Sequence, residues 1–160
     1  MQRREKYMNT SLIKQFTFTR DSLIKEINKI NPEIVDVQLD GYNNTIHWQI
    51  GHILTVAEQF LFAFPKKTQY LPEKYVELFG NGTKPADWQG EIPSVDKLTN
   101  ELQEQLKRVM EIPEEQFNVE LEKPFLGQET FGGLTTLATY HEAQHTGQIH
   151  ALRLITEQTK

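Results

Sequence analysis

The chain holds five histidines and no cysteine, and the spacing of three histidines sets the chemistry within its reach. His141 and His145 are four residues apart, and His52 lies about ninety residues upstream, directly after Gly51 and one helical turn after Trp48. In a helix, side chains at i and i+4 stack with Cβ atoms about 5–6 Å apart, close enough for two imidazoles to share one metal ion. A third imidazole from a second helix would complete a three-nitrogen face. Such a face leaves coordination positions open for water or substrate, which separates a reactive metal from a structural, fully ligated one.

At about 100° per residue, Leu134, Leu137, Ala138, His141, His145, Gln148, Leu152 and Ile155 share an arc of about 100°, so both histidines are expected to face the core. A lone inward histidine reads as a hydrogen-bonded core residue. A stacked pair needs partners for two imidazoles, each costing about 1–3 kcal/mol if unsatisfied, and one cation satisfies both. His47 and His52 are five residues apart, a rotation of about 140°, so they cannot reach the same ion. His52 borders the apolar stripe, and Gly51 beside it lets another helix or a ligand come close. His47 is expected to be an exposed first-turn residue. His150, turned about 140° from His145 and 180° from His141, is a poor ligand. Gln148, one turn beyond His145, and Trp48 and Gln59, one turn before and two turns after His52, are placed to orient an imidazole or touch a bound ligand. Packing is the simpler role for Trp48, and a polar position at the bundle mouth the simpler one for Gln148.

His141-Glu142-Ala143-Gln144-His145 is a literal H-E-x-x-H, the zinc-protease motif in which the glutamate is the general base. The extended metzincin form fails, because its later positions hold Gln148 and Ala151 while Gly147 and His150 come one residue early. No strand is expected upstream on which a peptide could lie, and the protease reading is set aside.

A net charge of −5 and a pI near 5.6, without clustered Lys and Arg, exclude a nucleic-acid surface. Arg3, Arg4 and Lys6 read as a solvated, frayed terminus. The lack of cysteine removes disulfides, thiolate ligands and a nucleophilic thiol, so any reactive thiol must arrive with a substrate. The chain starts without an apolar signal-peptide core, and its longest apolar run, residues 60–65, is far too short to span a bilayer; a cytoplasmic protein is expected.

The elements that must position the histidines are helices. Apolar spacing predicts a first helix over 9–30, with Asn9, Thr10 or Ser11 as N-cap and Asn31-Pro32 as its stop, and a second over 45–64. The second carries a core stripe of Ile46, Ile50, Ile53, Val56, Ala57, Phe60 and Phe64. Residues 65–93, with four prolines and three glycines, read as a long irregular crossover with one short helix over 73–79. Ser94 caps a third helix ending before Pro113, a loop closes at Phe125-Leu126-Gly127, and the last helix spans 130–157. One domain over residues 1–160 is expected, an all-α four-helix bundle with no strand pair. Tyr70, Tyr75, Phe79 and Trp88 of the crossover are expected to be exposed and available for a homodimer contact.

Trp48-x-x-Gly51-His52-Ile53 on the second helix and His141-x-x-x-His145-x-Gly147-Gln148-Ile149 before Leu152-Arg153 on the last resemble the DinB/YfiT-like superfamily over nearly the whole length. The resemblance implies a four-helix bundle with its long crossover between helices 2 and 3, binding a divalent metal (Ni²⁺, Zn²⁺ or Mn²⁺) through His52, His141 and His145. Where many members carry Tyr-His-Arg, this chain has Gln144-His145-Thr146 and so lacks that arginine. It further implies a metal-dependent enzyme, such as a transferase adding a bacillithiol-like or mycothiol-like thiol to a small electrophile. Relatives include maleylpyruvate isomerases and hydrolases. The alternatives are a hydrolase using hydroxide at the same open position and a non-catalytic bundle that the metal stabilises.

Overall fold

The computed structural model describes the backbone of residues 2–159 and the side chains of residues 11–159. The side chains of Arg3, Arg4 and Lys6 lie outside the described residues. Five helices, α1 (Gln2–Ile27), α2 (Ile46–Phe62), α3 (Lys74–Phe79), α4 (Val95–Met110) and α5 (Phe131–Gln158), are joined by short 3-10 turns and one hairpin, β1 (Glu120–Phe125) with β2 (Gln128–Thr130). Side-chain caps start three of the long helices: Thr45, Ser94 and Thr130 accept from the backbone N–H of Trp48, Lys97 and Gly133. Asn9, Thr10 and Ser11 do not mark the start of the first helix, because the backbone of α1 runs through them unbroken from Gln2. Its first ten residues contain neither Gly nor Pro to stop it.

Around the bundle α1 packs on α4 and α5, and α2 packs on the same two helices, so α1 and α2 lie on a diagonal. α3 closes over α2, and that third neighbour explains why α2 is buried on every side from Ile46 to Glu58, not only along its apolar stripe. Apolar residues form two clusters along the bundle. One includes Leu23, Ile50, Leu54, Leu98, Leu102 and Ile149, and the other Phe16, Leu61, Val109, Phe117, Phe131 and Ala138.

Between these clusters each bundle helix contributes a polar group. Arg20 donates to Glu142 (2.9 and 2.7 Å), to Gln105 Oε1 (2.9 Å) and to the Leu102 carbonyl (2.6 Å). Gln105 Nε2 donates to Glu58 (2.7 Å) and to the Leu54 carbonyl (3.1 Å), and Arg108 closes on Glu58 with two bonds of 2.8 and 2.7 Å. Arg20, Glu58, Gln105 and Glu142 are at most 1% exposed, and none of their buried polar atoms lacks a partner. A half-satisfied layer of this kind would be far more costly than an apolar one, so the bonding is complete or the fold fails.

Two further expectations, on the strand pair and on the crossover aromatics, are overturned. The sequence offers no obvious strand pair, yet β1 and β2 form an antiparallel hairpin whose two-residue turn, Leu126-Gly127, has positive φ at both positions (47° and 77°). That is the backbone of a type I′ turn, matched to strand twist. Pro124 and three charged residues among the six of β1 conceal it in the sequence. The crossover aromatics are also not a free surface. Tyr75 and Phe79 are 3% and 0% exposed because α3 folds onto α2, and Trp88 donates its indole N–H to the Leu78 carbonyl at 2.8 Å; of the four only Tyr70 is exposed.

Candidate metal centre

The site begins at Gly51. A Cβ there would lie 2.4 Å from the Phe79 ring, so only glycine lets α3 dock this closely on α2. The docking brings the Phe79 carbonyl to 2.6 Å from His52 Nδ1. A carbonyl only accepts, so Nδ1 carries the proton and Nε2 presents its lone pair on the other side of the ring. Trp48 stacks on that ring, with centroids 4.4 Å apart and planes 15° from parallel, and its indole N–H donates to Thr83 Oγ1 at 3.0 Å. Thr83 belongs to the crossover, which therefore backs His52 from two directions.

His52 Nε2 faces His141 Nε2 at 3.1 Å, and one ring nitrogen each from His52, His141 and His145 lies within 4.8 Å of the others. Metal–nitrogen bonds of about 2.0–2.1 Å at a tetrahedral angle separate ligand nitrogens by about 3.3 Å. The 3.1 Å between His52 Nε2 and His141 Nε2 is already close to that spacing, and an all-imidazole donor set suits Zn²⁺ or Ni²⁺. The residues present therefore fit a divalent cation.

Electrostatics favour the same use. Burial, with the neighbouring His145 and His52, pushes His141 down to about 3. His145 is pushed down to about 4 by burial and by His52, against a hydrogen bond to Gln148. Burial also lowers His52, against the pull of the Phe79 carbonyl. All three are neutral near pH 7, the form that ligates metal.

His145 Nδ1 is held by Gln49 Oε1, and Gln49 Nε2 donates to Gln148 Oε1 at 3.0 Å. Gln148 thus meets His145 directly and also through Gln49, which the sequence reading missed. Gln49 is one turn before His52, about 60° away around α2, but its need for a polar partner follows from its 4% exposure, which only the packed fold reveals. Gln59 is half-buried two turns beyond His52 and is not among the groups bonded to the three imidazoles. At that end of the site the neighbour is Phe60, its ring centroid 6.4 Å from that of His141.

His47 is buried, not exposed, because the segments before α2 and α4 fold over the first turn of α2. Its Nδ1 meets Asp36 Oδ1 and its Nε2 the Pro93 carbonyl, both at 2.8 Å. It stands apart from the three-histidine group, as does His150, which is exposed and bonds Glu26 at 3.0 Å. The face of α5 that meets the core is also rotated from the expected arc: Phe131, Thr135, Ala138, Glu142, Ile149, Leu152 and Thr156 are buried, while Leu134 and Leu137 are half-buried and Ile155 is exposed. His141 and His145 therefore sit half-buried on the border of that face. Glu142, the glutamate of H-E-x-x-H, points into the bundle onto Arg20 and cannot act as a base at the histidines.

A family model described as the DinB superfamily matches residues 15–149, a span that includes all three histidines. The fold is similar to the crystal structure of a conserved protein from Enterococcus faecalis, with a TM-score of 0.64 at 13% identity, covering 90% of this chain and 94% of that one. At that identity the likeness concerns the fold alone. No functionally curated protein matches the sequence significantly. The bundle, its three converging histidines and the span of the family match lead to one assignment: the chain belongs to the DinB superfamily.

Proposed function

We propose that this protein is a divalent-metal-dependent transferase that joins a low-molecular-weight thiol to a small electrophile. The observation that carries the proposal is the convergence of three imidazoles, one buried and two half-buried, in a chain that has no thiol of its own. A divalent cation there supplies a Lewis acid whose full charge, not offset by neutral ligands, favours the ionised form of a thiol beside it. His52, His141 and His145 hold the cation. The Phe79 carbonyl keeps the proton of His52 on Nδ1 and so keeps Nε2 available, while Gln49 and Gln148 orient His145.

In the net reaction the thiol releases its proton to solvent, the sulfur electron pair forms a bond to the electrophilic carbon, and the bond from that carbon to its leaving group breaks. The test is to incubate protein loaded with Ni²⁺, Zn²⁺ or Mn²⁺ with bacillithiol, cysteine or glutathione and a model electrophile. Thioether formation above the metal-free rate is expected with at least one thiol. No acceleration with any of them, together with a melting temperature that falls when metal is chelated, would make the cation a structural element only.

A further inference from the structure

The three histidines lie between two unlike walls. Toward the start of α2 the neighbours are amides, Gln49 and Gln148. Toward its end the neighbour is Phe60, which meets Phe125 of the hairpin edge to face with ring centroids 5.3 Å apart. Phe125 is 45% exposed and Leu126 next to it 70% exposed. Leu126 also occupies a left-handed backbone conformation, φ 47°, which costs a non-glycine residue about 1–2 kcal/mol. Asn or Gly would suit that turn position better, and an exposed leucine there gains nothing from burial. A residue that breaks a local rule without benefit to the fold points to a use outside folding.

We propose that Phe60, Phe125 and Leu126 form the wall that receives the electrophile, and that this substrate carries an apolar, ring-sized group, while the polar end of the thiol lies toward Gln49 and Gln148. The assignment rests on the metal-centre reading of the histidines. An aromatic ring laid against Phe125 finds a partly exposed ring of its own kind, linked by ring contacts through Phe60 to the half-buried His141.

The test uses 1,3-dinitrobenzene, an unreactive aromatic probe, in equilibrium dialysis against the metal-loaded full chain. Saturable binding is expected for the wild type, weakened about tenfold by Phe125→Ala and restored by Phe125→Tyr. Leu126→Gly is expected to weaken binding while raising the melting temperature, a combination that a purely structural role would not produce. Equal binding by wild type and Phe125→Ala, or no saturable binding by the wild type, overturns the proposal. Metal content measured on the same samples keeps the two readings apart: binding through Phe125 in a protein that takes up no metal would sink the transferase and leave the wall.

Discussion

Three imidazoles kept neutral by burial make the protein acid-sensitive in a defined window. His141 and His145 are pushed from the ordinary 6.5 to about 3 and about 4 in the fold. Between those values and 6.5 the unfolded chain binds more protons than the folded one. Their contribution to stability is therefore complete above about 6.5 and is lost as pH falls toward the folded values. Thermal melts of the metal-free protein should show a melting temperature that declines from pH 7 to pH 4, and more gently in His141→Ala. A second expectation concerns His47, whose two bonds hold the segments before α2 and α4 together. His47→Ala should cost about 1–3 kcal/mol in denaturant unfolding while leaving metal uptake intact. At this scale the i, i+4 pair and the rotation that separates His52 from His47 are legible in the sequence. The burial of His47 and the role of Gln49 are not, because both depend on groups brought in by distant segments.

Among the elements, α3 links fold and site. Its docking needs the bare face of Gly51, and the same docking delivers the carbonyl that orients His52. Gly51→Ala must displace Phe79 and should cost about 1–3 kcal/mol of stability, with metal affinity falling alongside. Titration calorimetry and denaturant melts on this variant check both effects, and unchanged metal affinity would detach α3 from the site. The long helices could be read from apolar spacing and capping residues, since Thr45, Ser94 and Thr130 obey rules that act within a few residues. The rotational phase of α5 could not, because its buried face carries Thr135, Glu142 and Thr156, which count as polar until Arg20 and the helix carbonyls that accept from the threonine hydroxyls are known. The hairpin escaped for a related reason: its strands are mostly exposed and do not alternate in polarity.

For the molecule as a whole, the charged layer from Glu142 through Arg20, Gln105 and Glu58 to Arg108 ties all four bundle helices at one level. Removing one partner leaves the other charge buried and unpaired, so Arg20→Met or Glu142→Leu alone should destabilise by about 3–5 kcal/mol. The double substitution should be milder than the sum, and a double-mutant cycle measures the difference. The layer also shows why H-E-x-x-H misleads here: its glutamate points into the bundle onto Arg20, while its histidines sit on the border of that buried face and turn toward His52. The central claim, one divalent cation held by three histidines, is tested most directly by elemental analysis of protein purified without a histidine tag and incubated with Ni²⁺, Zn²⁺ or Mn²⁺. The wild type, His47→Ala and His150→Ala should retain about one equivalent per chain, and His52→Ala, His141→Ala and His145→Ala should each lose it. A wild type that retains no stoichiometric metal, or a His141→Ala variant that retains a full equivalent, would contradict the claim.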